Sequence, residues 1–205
     1  PRSGILPHFE KLGLSEEEYI IMNNGCSTYE TKNWNLLQYE SLSRSEMEEL
    51  LQACEDFPEV ALTLTGEKTY YVVGDEVPEL VAYDASTVFT EAKARSLEEI
   101  FVEGQVIFQA MYMADSEPLD AFQNAVQDRL SQSYSTVRSQ DYIFEIMPQG
   151  ATKASGLKHL AEKLGIAPDQ IMALGDAAND LEMLKFVGQS VAMGNASDDI
   201  KELCK

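Results

Sequence analysis

Histidine and cysteine are scarce: two histidines and three cysteines in 205 residues. Cys26, Cys54 and Cys204 lie far apart, are odd in number and form no Cys-x-x-Cys pair. That excludes a disulfide framework and a zinc site and leaves buried or idle thiols as the plain reading. His8 and His159 fall on helix-patterned stretches and give too little material for a histidine-based triad or a multi-histidine metal centre. No run of roughly 18 apolar residues occurs, and Pro1-Arg2-Ser3-Gly4 lacks the basic-then-apolar pattern of a secretory signal, so a cytoplasmic, membrane-free protein is expected. Positive charge is also short, 15 Lys and Arg against 35 Asp and Glu for a net of -20. Nucleic acid and anionic membrane are polyanions held by basic patches, and both are disfavoured as partners.

Hydrophobic residues make up 44% of the chain, enough to bury a core of one large or two small domains. The acid is concentrated in the middle: residues 26–147 hold 7 Lys and Arg against 23 Asp and Glu, whereas residues 148–205 hold 6 against 8. The last sixty residues alternate helix and strand. Thr152 reads as an N-cap, Ala154, Leu157, Leu160, Ala161 and Leu164 follow at helical spacing, and Gly165 closes the helix. Ile171 to Leu174 is a short apolar run ended by Gly175, as expected of a strand buried on both faces of a parallel sheet. A helix through Leu181, Leu184 and Val187 and a strand at Ser190–Met193 complete βαβ grammar. The first residues fit the same layer, with a helix through Ile5, Leu6, Phe9 and Leu12 and a strand at Tyr19–Met22 running into Asn23-Asn24-Gly25. Between them lies an α+β stretch: hairpins at 27–39 and 60–73, a helix at 45–54, helix or irregular chain at 76–103, a strand at 106–113, a helix at 119–130 and strands at 134–137 and 142–147.

The sharpest polar cluster is Gly175-Asp176-Ala177-Ala178-Asn179-Asp180, where a strand gives way to a helix. Ligands bind at the carboxyl ends of strands in open α/β sheets. Two carboxylates with an amide suit a hard cation such as magnesium; alternatively, Asn179 and Asp180 cap the following helix. Lys153, in the first turn of the helix after Gly150-Ala151-Thr152, opposes the helix dipole unless an anion such as phosphate binds there. The alternative is a solvated lysine.

The stretch Glu145-Ile146-Met147-Pro148-Gln149-Gly150-Ala151-Thr152-Lys153-Ala154 resembles the third motif of Cof-like haloacid-dehalogenase phosphatases. Ala173-Leu174-Gly175-Asp176, Asn179-Asp180, Met183-Leu184 and Ala192-Met193-Gly194-Asn195-Ala196 are similar to the fourth motif and its loop, and Ile20 to Gly25 resembles the strand and Asn-Gly element leading into an inserted cap. The resemblance implies an α/β fold: a Rossmann-like core, residues 1–25 and 148–205, interrupted by an α+β cap at 26–147. It implies Mg2+-dependent hydrolysis of a small phosphate monoester, a sugar phosphate or related metabolite, through an aspartyl-phosphate. By that resemblance Asp176 holds the metal and Lys153, Asn179 and Asn24 contact phosphate. Lys153 and Asp180 are the catalytic pair, Asp180 supporting from behind the metal or by pairing with Lys153. Asn24 is alternatively a plain turn residue. The family's Asp-x-Asp-Gly-Thr and Thr/Ser-Gly-Arg motifs do not occur, so a fragment without its nucleophile, inactive alone and prone to self-association, is expected. A metabolite-binding or regulatory relative, and a phosphotransferase or mutase on the same scaffold, are the alternatives.

Overall fold

The computed structural model describes residues 2–13 and 18–204. Of the expected core segments, Pro1, residues 14–17 and Lys205 lie outside the described residues. Helix α1 (Leu6–Leu12) stops at Gly13, which takes a left-handed φ of 62°. Strand β1 (Tyr19–Met22) runs antiparallel to β2 (Ser27–Glu30), which pairs in turn with β3 (Leu36–Tyr39). The expected strand at Tyr19–Met22 therefore hydrogen-bonds with the hairpin that follows it.

Helix α2 (Arg44–Ala53) begins with a reciprocal capping box between Ser43 and Glu46. Strands β4 (Ala61–Gly66) and β5 (Tyr70–Val73) form a hairpin. Helix α3 (Glu79–Thr87), strand β6 (Ala92–Arg95) and helix α4 (Leu97–Glu103) follow. Strand β6 was not expected; its sequence, Ala-Lys-Ala-Arg, has little strand propensity, and parallel pairing with β5 draws it into the sheet. Strand β7 (Ile107–Met113), helix α5 (Ser116–Leu130) and the hairpin β8 (Tyr134–Gln140) and β9 (Ile143–Pro148) complete a six-stranded sheet of order β6-β5-β4-β7-β9-β8.

Alternation along these strands divides the sheet into two faces. Leu62, Leu64, Ala110, Tyr112, Phe144 and Ile146 join Leu119, Phe122, Val126 and Leu130 of α5 in the main core, all but Val126 at most 2% exposed. Tyr112 also donates its hydroxyl proton to the Leu50 carbonyl of α2 at 2.7 Å. The opposite face carries Tyr70, Val72, Met111, Met113 and Ile143 beneath α3. Toward one end of that second face it turns polar, with Thr65, Gln109 and Glu145 all buried.

Helix α6 (Lys153–Leu164), strand β10 (Met172–Gly175), helix α7 (Leu181–Phe186), strand β11 (Gln189–Ala192) and helix α8 (Asp198–Leu203) form the second layer. Strands β10 and β11 are parallel neighbours. The expectation that β10 is buried on both faces is corrected here: Ala173 is buried, but Met172 and Leu174 are 58% and 59% exposed. Among the described residues only β11 pairs with β10, and the helices α7 and α8 cover one side of the pair.

The three thiols are free. Burial, aided by Glu40 and Glu145, pushes Cys26 up to about 12, and burial pushes Cys54 up to about 11, so both stay protonated and unreactive at neutral pH. His159 Nδ1 lies 2.7 Å from Gln38 Nε2 in a side-chain hydrogen bond, and the exposed His8 ring meets Phe89 edge-on.

Candidate active site

Three chain segments meet at the start of α6. Thr152 caps the helix, its hydroxyl accepting the Ser155 N–H while the Ser155 hydroxyl accepts the Thr152 N–H. The turn at Asn23-Asn24-Gly25 lies directly against this cap because both contact positions are glycine. A Cβ on Gly25 (φ 101°) would stand 2.0 Å from the Thr152 carbonyl oxygen, and one on Gly156 would stand 2.9 Å from Gly25 Cα. Asn23 and Asn24 both take left-handed conformations, which asparagine tolerates. The Asn24 side chain is thereby delivered beside Lys153.

The third segment is the turn after β10. Asp180 is 4% exposed and has both carboxylate oxygens engaged. Oδ1 pairs with Lys153 Nζ at 2.6 Å, and Oδ2 accepts the backbone N–H groups of Asp176 and Ala177 at 3.0 and 3.3 Å. Gly175 permits this fold-back, since a Cβ there would fall 2.6 Å from Asp180 Cβ. Burial pushes the Asp180 carboxyl up, but the Lys153 ammonium and the two backbone donors outweigh it and hold it below the ordinary range. No side-chain bond from Asp180 caps α7. Its carboxylate instead braces the turn and fixes the lysine.

Asn179 Nδ2 approaches Asn24 Oδ1 at 3.4 Å, and the buried Asn179 Oδ1 has no partner. Asn24 Nδ2 donates to Glu145 Oε2 at 2.8 Å, which also accepts from Gln109 Nε2 at 3.1 Å. A line of amides and carboxylates thus runs from the start of α6 to the polar end of the six-stranded sheet. Lys153, Asn24 and Asn179 line one cavity of about 310 Å³. Asp176 is not among the residues lining this cavity; its Oδ2 accepts from Asn195 Nδ2 at 2.7 Å.

Of the five residues singled out from the sequence, Lys153 contacts Asp180 and Asn179 contacts Asn24 through their side chains, Lys153, Asn24 and Asn179 share one cavity, and Asp176 meets Asp180 through its backbone N–H. Glu145, Gln109 and Asn195 carried no assigned role. Glu145 was discernible as a charge at an inward position of an apolar strand, Ile-Phe-Glu-Ile-Met; nothing in the Gln109 or Asn195 neighbourhoods distinguishes them by pattern. Among the described residues no three His, Cys, Asp or Glu side chains converge to hold a metal alone. Asp176 offers a single carboxylate, and Asp180 is fully occupied. One carboxylate with the remaining positions left to water and phosphate is a donor set that magnesium accepts.

YxeH of Bacillus subtilis strain 168, which carries a phosphatase name, is 25% identical over 98% of this chain and 74% of its own length. The B. subtilis 5-amino-6-(5-phospho-D-ribitylamino)uracil phosphatase YitU is 44% identical over 30% of this chain and 23% of its own. A haloacid dehalogenase-like hydrolase from Bacteroides thetaiotaomicron superposes with a TM-score of 0.85 at 23% identity, covering 100% of this chain and 76% of that one. The subclass IIB sugar phosphatase BT4131 superposes at 0.77 with 20% identity, covering 100% and 75%. The sequence matches the haloacid dehalogenase-like hydrolase description across residues 1–205, and the chain belongs to that family.

Proposed function

We propose that this chain carries the phosphate- and metal-holding residues of a magnesium-dependent phosphatase acting on a small phosphorylated metabolite. The observation that carries the reading is the convergence of Lys153, Asn24 and Asn179, from three separate segments, on one cavity at the N-terminus of a twelve-residue helix. A phosphate there meets the positive end of the helix dipole, an ammonium and two amide side chains. Asp180 holds the Lys153 ammonium in place and neutralises it between turnovers, so the lysine does not need an anion to be stable. Asn179 Oδ1, buried without a partner, is an acceptor for a protonated phosphate oxygen or a bound water.

Asp176 would hold the magnesium ion, whose charge, when bound, offsets that on the transferring phosphoryl group. The 205 residues contain no Asp-x-Asp, so the aspartyl-phosphate step is proposed for a carboxylate outside them, with these residues binding and orienting the ester for attack. Residues 26–147 are proposed as the cap that closes over the substrate and excludes water. The phosphatase names of YxeH and YitU support the same activity class.

The test is hydrolysis of an aryl phosphate by this protein with the family's Asp-x-Asp segment preceding residue 1, with and without magnesium. Asp176→Asn should lower turnover by about a hundredfold or more, since metal charge is worth several kcal/mol and ~1.4 kcal/mol is tenfold. Absence of turnover with intact phosphate binding would instead make this a binding relative of the family.

A further inference from the structure

A second cavity, of about 410 Å³, adjoins the phosphate site across Asn24, which lines both. Its floor is the polar end of the six-stranded sheet. Strand alternation and register put Thr65 and Gln109 opposite each other on β4 and β7, and Glu145 on the same face of β9. Asp84 of α3 and Tyr142 complete the wall, the Tyr142 hydroxyl donating to Asp84 Oδ1 at 3.4 Å and the Tyr70 hydroxyl to Oδ2 at 2.9 Å.

Two features go beyond a cluster of acids. Gln109 and Thr65 are 6% and 2% exposed, and Gln109 Oε1 and Thr65 Oγ1 have no hydrogen-bond partner. Buried polar atoms are almost always satisfied, so two orphans on one cavity wall mark groups awaiting a ligand. The lining also includes two carboxylates and no lysine or arginine. Burial pushes both Glu145 and Asp84 above the ordinary carboxylate range, so charge on this wall is poorly solvated.

Resting on the phosphatase reading above, we infer that the Thr65–Gln109–Glu145–Asp84 cavity selects the leaving group by charge, taking a hydroxyl-rich neutral or amino-bearing group and rejecting one with a second anion. The unpaired acceptors and the carboxylates receive O–H or N–H donors from the ligand. A second phosphate or carboxylate would be buried against two carboxylates with no lysine or arginine in the lining to pair it, a repulsive element of the kind that sets specificity.

The experiment is calorimetric titration of the chain, in magnesium buffer, with orthophosphate, glucose 6-phosphate, glucosamine 6-phosphate and fructose 1,6-bisphosphate. The two monophosphates should bind about tenfold or more tighter than orthophosphate, the worth of one hydrogen bond to a charged group, and the bisphosphate no tighter than orthophosphate. Thr65→Val, nearly isosteric, and Glu145→Gln should each lower the monophosphate-to-orthophosphate affinity ratio about threefold or more. The wild-type series decides the charge selection even where a variant folds poorly. Orthophosphate failing to bind would overturn the phosphate reading together with this inference. Orthophosphate binding with the bisphosphate tightest, or with no gain for either monophosphate, would overturn this inference alone.

Discussion

Asp180 performs three tasks with two oxygens, and its removal should be felt in stability before function. Asp180→Ala leaves the N–H groups of Asp176 and Ala177 without their acceptor and frees Lys153, and should cost about 1–3 kcal/mol by chemical denaturation. Because the folded-state pKa is depressed, this contribution is present above the unfolded carboxylate range and is lost as pH falls through the folded value, so the difference between Asp180→Ala and wild type should narrow in acid. Glu145 has the opposite sign. Burial raises its folded pKa, so its carboxyl favours the folded state at low pH and the advantage disappears as pH rises through the raised value. Glu145→Gln keeps an acceptor for Asn24 and Gln109 without the charge, and its melting temperature relative to wild type should rise between pH 4 and pH 8. A constant difference across that range would mean that burial does not raise the Glu145 carboxyl above its ordinary range.

At the scale of elements, the contact between α6 and the Asn-Gly turn sets the site. Gly25→Ala forces a Cβ into the Thr152 carbonyl at a positive φ, and should cost roughly 3 kcal/mol and lower the melting temperature by roughly 6–12 °C. It should also weaken phosphate binding, since Asn24 is carried by the same turn. In the core of the six-stranded sheet, Leu64→Ala should cost roughly 2–5 kcal/mol, with no direct effect on the phosphate cavity. Much of this architecture was legible beforehand: the hairpin at 27–39, the capped helix after Thr152 and the strand-to-helix turn at Gly175 all carry local signatures in caps, glycines and periodicity. Strand β6 was not legible because its identity comes from pairing with β5 rather than from its residues. The exposure of Met172 and Leu174 was missed for a related reason, since an apolar run states what a strand can bury and not what is there to cover it. Site residues with motif context were nameable, whereas Gln109 and Thr65 become meaningful only when the register of β4 against β7 sets them side by side.

For the whole molecule, no described helix is long and apolar enough to cross a membrane. The net charge of -20 opposes non-specific association. Against that, Met172, Leu174, Val191 and Met193 present an apolar surface along β10 and β11, each between 39% and 59% exposed. We expect the chain to self-associate in concentrated solution through this surface, and Leu174→Lys should lower the weight-average mass by light scattering; equal masses for the two proteins would remove that expectation. The charge field and the apolar face govern how the molecule behaves in solution, whereas its proposed chemistry depends on Lys153, Asn24 and Asn179 forming a phosphate site. Calorimetric titration of orthophosphate into the chain in magnesium buffer, with Lys153→Met alongside, decides whether that site exists. Binding should be saturable and should weaken about tenfold or more in the variant, the loss expected for one charge-assisted contact. Phosphate binding of equal strength in both proteins, or none in either, would mean that these residues do not form a phosphate site.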